Sequence, residues 1–452
     1  MGLPELRQRL FQLELADPHA TMVGSGAPFC NPLSVRAPDP CQRLRIPAAG
    51  TTIWDRRPPR RRDGGTDMRA GFKVFDADTH FQPSVESILP YLDPELRARE
   101  KEFERFLSPV KTGRAGQKLE PPFRHWYSFA DRSGWGREQR RHLGEAAPRE
   151  NEERRFQQFM GSRHPALGAE DYDVDVRIRE MDEEGVDVEL MVPGAFGGHE
   201  DPAVNMGLIR AAHRFLDETC SRYPDRLRSL IHVDGTAIEE SVAEIHTWGP
   251  SKWARGIITR LPLDMPIDHP DLNPVWAAAS EHNLCVVHHS TSTGYPGFRD
   301  LWSNPFLGRT AGHPWGAMRV VAAFLGAGLF DRFPDIRLSI LESGFGWLPF
   351  WMKRMEDQIV YMGYVAEDLK HSMTEYMTGG RFFAGIVLHE GEDMVRMVNG
   401  LMGDGVLMFG SDYPHAESRF PDSVDLVVAW NKLSHAEKSR LFWDNAAACY
   451  AE

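Results

Sequence analysis

Residues 273–289 read N-P-V-W-A-A-A-S-E-H-N-L-C-V-V-H-H. The stretch from Leu272 to Asn283 spaces its apolar residues as one face of a helix does, and Leu284 to His288 is a short apolar run suited to a strand buried on both sides. A helix delivered straight into a strand is one βα repeat. The same alternation recurs from Gly71 onward, with eight runs: Phe72 to Ala77, Val186 to Val192, Arg228 to Val233, Gly256 to Arg260, Leu284 to His288, Ile336 to Leu341, Phe382 to Val387 and Val406 to Phe409. Each run precedes a helical stretch. In Val204 to Tyr223, for instance, Met206, Ile209, Phe215 and Leu216 fall near one face and Pro224 stops the helix. Eight such units predict an α/β fold, a TIM-type (β/α)8 barrel.

Working outward, 452 residues exceed what one core usually supports unless the fold is a large barrel or has several domains. Residues 1–70 differ from the rest. Pro, Gly and Arg accumulate there, as in R-R-P-P-R-R-R-D-G-G from Arg56, which predicts a disordered arm, or a dispensable stretch upstream of Met68. Residues 71–452 form the barrel domain. Between its first two strands a long polar stretch, about 93–173, reads as an insertion at the catalytic face, either a lid or a solvated helical decoration.

Hydrophobic residues make up 42% of the chain and charged residues 26%, so a core can form. The net charge of −13 argues against nucleic acid as a partner. The strongest apolar stretch, Val320 to Phe330, is too short to span a membrane, and the first residues lack a secretory apolar core. Cys30, Cys41, Cys220, Cys285 and Cys449 contain no C-x-x-C pair, which argues against both a disulfide framework and a thiolate zinc site. The cytoplasm is the predicted compartment.

In a barrel the chemistry sits at the strand ends. Strand one ends F-D-A-D-T-H-F, which puts Asp78 and His80 on one side of an extended segment. Strand five ends in His288 and His289, strand six in L-E-S-G-F-G-W with Glu342, and strand eight in M-F-G-S-D-Y-P-H with Asp412 and His415. Singly, each residue is as well explained by a helix cap or a turn. Together, nitrogen and oxygen donors from four strand ends suit a divalent metal that activates water or polarises a substrate oxygen. Other motifs fail. H-E-G-E-D at His389 lacks the second His of a zinc-protease helix, Ser343 lacks the glycine of a nucleophile elbow, and the glycines near Gly24 and Gly400 do not open a nucleotide-binding helix, so no nucleotide cofactor is expected.

From Gly71 to Tyr450 the sequence resembles the amidohydrolase superfamily, in particular the branch of aminocarboxymuconate semialdehyde decarboxylase and the resorcylate-type decarboxylases. The resemblance rests on D-A-D-T-H, R-I-R-E-M-D-E-E-G-V-D-V, S-R-Y-P-D-R-L, the stretch quoted at the outset, R-F-P-D-I-R-L-S-I-L-E-S-G-F-G-W-L-P, M-F-G-S-D-Y-P-H-A-E-S and D-N-A-A-A-C-Y, in that order. It implies metal ligands at Asp78, His80, His288 and Asp412, with His289 the competitor of His288. Asp412 would also shuttle a proton. Glu342 stands where many of these decarboxylases carry His, and its carboxylate suits a further metal contact or, alternatively, an ion pair with Arg381. A shell of Asp78, Glu342 and Asp412 favours manganese or iron over a sulfur-rich zinc set, with zinc still open and one or two ions conceivable. His415 would donate to the substrate or orient Asp412, or alternatively stabilise the turn, and His313 and Trp302, Trp315 and Trp347 are candidates for a substrate pocket.

The resemblance implies a decarboxylase of a small cyclic or aromatic carboxylate, with Asp412, Glu342 and His415 as its catalytic residues. The alternatives are a hydrolase of an ester, amide or lactone, and a non-haem diiron oxygenase on the same fold. The expected partner is a small-molecule substrate, with a homodimer also implied by the resemblance.

Overall fold

The computed structural model describes residues 69–81, 83–111, 120–127, 173–194, 199, 201–262, 265–289, 308–366, 368–415 and 418–452. The expected arm, all but Arg69 and Ala70, and most of the insertion lie outside them.

Eight parallel strands form one sheet in sequence order: β1 Phe75–Phe81, β2 Val188–Pro193, β3 Leu227–Asp234, β4 Ala254–Arg260, β5 Cys285–His289, β6 Arg337–Leu341, β7 Phe382–Gly385 and β8 Leu407–Met408. Each overlaps an expected run, although β1 starts three residues later and ends four residues later than expected, and β7 and β8 leave the ladder earlier as the chain turns into the loops above. The sheet closes on itself. Ala77 N–H donates to the Phe409 carbonyl at 2.9 Å, Asp412 N–H to Asp78 at 2.9 Å and His80 N–H to Tyr413 at 2.6 Å. The barrel expected from the eight runs is therefore present.

The strands are buried on both sides, as a sheet wrapped in helices requires. Phe75, Ala77, Val188, Leu190, Leu230, Ile258, Cys285, Val287, Leu341, Phe383 and Met408 fill the interior, and a helix at the C-terminus (Asn445–Tyr450) plugs one end with Ala446, Cys449 and Tyr450. A larger apolar layer holds the outer helices against the barrel, joining Val286, Leu338 and Ile340 to Trp276, Phe324 and Val398.

Helix α1, Val174–Glu184, starts on Asp173, whose carboxylate accepts the Asp175 N–H, and stops at Gly185 at φ +90°, a left-handed turn that favours glycine. Helix α2, Pro202–Ser221, starts on Asp201 with proline at its first position. On α2 rests the described beginning of the insertion. Leu96 and Phe103 of the insertion, with Ile88 and Leu92 just before it, pack on Val204, Leu208 and Ala211, and a Cβ on Gly207 would come within 2.6 Å of the Leu96 side chain.

One ion pair braces the β1 end from behind. Arg177 on α1 is 1% exposed; its Nε donates to Glu189 at 2.7 Å, Nη1 to the His80 carbonyl at 2.9 Å and Nη2 to Thr79 Oγ1 at 2.9 Å. Removing one member of a buried pair leaves the other charge uncompensated. Arg177→Met should therefore lower stability by about 3–5 kcal/mol, read from the urea unfolding midpoint. A loss below about 0.5 kcal/mol would refute the bracing role.

Candidate functional site

The strand ends that carry the expected residues converge on one mouth of the barrel, each by a local device. In β1 the register against β2 slips between Asp76 and Thr79. Such a bulge inverts the alternation of side chains. Phe75 and Ala77 point into the packed interior before the slip, whereas Asp78 and His80 reach the mouth after it. The Asp76 carboxylate fastens the slip, accepting N–H bonds from Ser411 at 3.0 Å and Asp78 at 3.2 Å. Glu342 and Asp412, each just beyond its strand, have φ of +46° and +62°. Left-handed backbone is costly for residues with a Cβ and recurs at functional sites.

The result is a buried cluster of carboxylates and imidazoles. His80 Nε2 lies 2.9 Å from Asp412 Oδ1, 3.7 Å from Asp78 Oδ1 and 3.8 Å from Glu342 Oε2. His289 Nε2 lies 2.9 Å from Glu342 Oε2 and 3.6 Å from Asp78 Oδ1. His415 Nδ1 bonds Asp412 Oδ1 at 2.7 Å, and its ring stacks on His80 with centroids 4.0 Å apart. His313, the first residue of a helix, stands 3.8 Å from Glu342 Oε1.

Of the two histidines at the end of β5, the structure brings His289 and not His288 into the cluster. Along β5, Cys285 and Val287 face the barrel interior and Val286 faces the helices, so His289 shares the inner side and His288 the outer. His288 is fully buried and belongs to neither group of converging donors, whereas His289 stands with Asp78 and His80. Arg381 does not pair with Glu342. It donates to the carbonyls of Phe330 and Pro334 and stacks over the Phe330 ring.

The charges of the cluster depend on one another. Burial pushes the Asp78 carboxyl up to about 6, against the pull of His289. Burial and the neighbouring His415 hold His80 down at about 3, neutral. Burial would lower His289 as well, but Glu342 and Asp78 outweigh it and raise the imidazole to about 10. Burial and Asp412 oppose ionisation of Glu342, yet His289 and His415 bring it down to about 2. Asp412, although buried, is held well below the usual carboxylate range by His415 and His80. His289 thus supplies the cation that Glu342 and Asp78 require.

A divalent ion meets the same requirement, and the donors fit one. Asp78 Oδ1 is buried and makes no hydrogen bond among the described residues. Two overlapping groups place their ligand atoms within 4.8 Å of one another: Asp78, His80 and His289, and His80, Glu342, Asp412 and His415. Oxygen and imidazole donors suit manganese, iron or zinc.

Beside the cluster opens a cavity of about 590 Å³, lined by Asp78, Glu342 and Asp412 on one side and by His313, Trp347 and His389 among the other walls. Trp347 is fixed there by its Nε1 donating to the Ser343 carbonyl at 2.9 Å. Trp315 is 38% exposed and does not line the cavity, and Trp302 lies outside the described residues. Two wall features escape sequence reasoning. His389 sits there, and the Glu390 carboxylate accepts the Gly346 N–H at 2.9 Å, tying the loop after β7 to the loop after β6. The dismissed H-E-G-E-D motif was their only trace.

Known proteins share this architecture. The chain is 25% identical over 285 residues to 2-amino-3-carboxymuconate-6-semialdehyde decarboxylase of Dictyostelium discoideum, covering 61% of this chain and 76% of that protein. The crystal structure of 5-carboxyvanillate decarboxylase from Sphingomonas paucimobilis superposes with a TM-score of 0.59 at 18% identity, over 84% of this chain and 99% of the other. The enzyme of that name from Novosphingobium aromaticivorans, complexed with manganese and 4-hydroxy-3-methoxy-5-nitrobenzoic acid, gives 0.59 at 19%, over 86% and 100%. 2,6-Dihydroxybenzoate decarboxylase from Rhizobium gives 0.57 at 14%, over 84% and 99%. At these identities the structural likenesses establish the barrel. The match to the amidohydrolase family runs over residues 76–451, from β1 through the helix that plugs the barrel, and the chain belongs to that family.

Proposed function

We propose that the protein is a metal-dependent decarboxylase acting on a small cyclic or aromatic carboxylate. The observation that carries the reading is Asp412, whose Oδ1 is hydrogen-bonded to His415 and lies 2.9 Å from His80 Nε2 while the carboxylate faces the cavity beside two further carboxylates. Support comes from the relative named as a decarboxylase and from the aromatic-acid decarboxylases that share the fold. The cavity falls in the range of small-molecule sites, roughly 300–1,000 Å³.

Asp78, His80, His289, Glu342 and Asp412 would hold the ion; manganese suits this oxygen-rich set and accompanies the structurally similar decarboxylase. A bound divalent ion supplies Lewis acidity toward a substrate oxygen. His313 and Trp347 would orient the ring from the cavity wall. Loss of carbon dioxide leaves an electron pair on a substrate carbon, which must take up a proton. With Asp412 Oδ1 engaged by His415, Oδ2 is the atom through which that proton would pass. His415 keeps the carboxylate aimed. Among the described residues no helix is long and apolar enough to cross a membrane, and Cys220, Cys285 and Cys449 are unpaired, which suits the reducing cytoplasm.

The test combines elemental analysis of the full chain, purified without chelators, with carbon dioxide release from aromatic acids such as 2,6-dihydroxybenzoate. We expect about one manganese or zinc ion per chain and release that stops on chelation and returns with metal. Ester, amide or lactone cleavage without carbon dioxide release would replace this reading with a hydrolase. Two irons per chain with dioxygen consumption would replace it with an oxygenase.

A further inference from the structure

We infer that the protein carries a second metal site, remote from the barrel mouth, in which His246, Glu281 and His282 bind a borderline transition ion such as zinc. His246 lies in the last turn of α3, Ile238–Trp248, and Glu281 and His282 end α4, Asn273–Glu281. Both helices lead into strands at their C-terminal ends, α3 into β4 and α4 into β5. The trio therefore belongs to the end of the barrel opposite the carboxylate cluster.

Three observations converge. His246 Nδ1 stands 3.1 Å from His282 Nε2, and a carboxylate oxygen of Glu281 completes a group whose ligand atoms all lie within 4.8 Å. Two nitrogens bound tetrahedrally to zinc at about 2.0–2.1 Å are about 3.3 Å apart, so the imidazoles already stand close to the spacing of one edge of such a site. Next, two helix C-termini meet there, and their unsatisfied carbonyls favour a cation. Finally, the backbone leaves room for the ring of His282. A Cβ on Gly249, the residue that caps α3, would lie 2.5 Å from His282 Cγ.

His246 and Glu281 are exposed and His282 half-buried, so an ion can enter without opening the fold, and water can take the fourth position. Such an ion would clasp α3 to α4. The bond is purely coordinative. The imidazoles bind neutral, through the nitrogens that face each other, so the hydrogen on the donating nitrogen moves to the other nitrogen of the same ring.

The experiment is a zinc titration of the full chain after metal removal, followed by calorimetry and by thermal unfolding, for the native sequence and for H246A/H282A. The native chain should bind one more zinc equivalent than the double variant. Its midpoint of unfolding should rise by about 2–5 °C when that equivalent fills, and the variant should lack this increment. E281Q, which leaves both imidazoles, should keep the equivalent with affinity lowered by about tenfold. Carbon dioxide release should be the same in all three at saturating metal. Equal stoichiometry in the native chain and H246A/H282A would overturn the inference, as would an extra equivalent that leaves the unfolding midpoint unmoved.

Discussion

Asp412→Asn should lower kcat/KM for the decarboxylated substrate by at least about 100-fold, the scale of a lost general acid or base, with the barrel still folded. The change is nearly isosteric. Asparagine tolerates the left-handed backbone at this position, where φ is +62°, so the turn after β8 should keep its shape. Its amide oxygen can still accept from one imidazole. What it cannot do is carry a proton to the substrate carbon. Measuring metal content alongside turnover separates the two duties of the residue: activity lost with metal retained assigns the proton, and both lost together assigns the ligand. Native turnover by D412N would remove the residue from the mechanism.

His289→Ala should cost at least about 100-fold in metal affinity, with activity falling in proportion at limiting metal. The imidazole lies 2.9 Å from Glu342 and 3.6 Å from Asp78, so its loss deprives two carboxylates of their nearest cationic partner as well as removing a ligand. His288→Ala makes the matched control. That residue is fully buried on the opposite side of β5, and its truncation should reduce stability by about 1–3 kcal/mol while leaving the metal content as it was. Dialysis against buffered metal followed by elemental analysis reads both variants. If H288A lost the metal and H289A kept it, the placement of β5 residues would be wrong.

The contrast between these two histidines shows where sequence reasoning stops. The eight strands were legible because buried parallel strands are continuous apolar runs and each was followed by a helix with a marked stop, such as Pro224 after α2. That same continuity hides orientation. In C-V-V-H-H both faces are apolar, so no alternation says which histidine points inward; the answer comes from the register of β5 against its neighbours. The pairing of Asp78 with His80 on one side was legible from their spacing. The bulge that turns them toward the mouth was not, because it depends on the slip of β1 against β2 and on the grip of Asp76 on Ser411. The task of Arg177 is not legible in the sequence, since an arginine in a polar helix reads as solvated until its carboxylate partner on β2 is known. The carboxylates Glu342 and Asp412 were found from their places after apolar runs, whereas their unusual backbone depends on the loops around them.

The seam between β1 and β8 has a consequence for how the protein is made. Asp76 and Ser411, joined across it, are 335 positions apart in the chain, and the Asp78 carbonyl receives the Asp412 N–H a few ångströms away. On a ribosome, β1 emerges among the first strands of the barrel and Asp412 among the last groups, so a nascent chain exposes Asp78 and His80 long before their acidic neighbours exist. Contacts so distant in sequence are the slowest to form. The full set of donors therefore comes together only once the last strand of the barrel has been made.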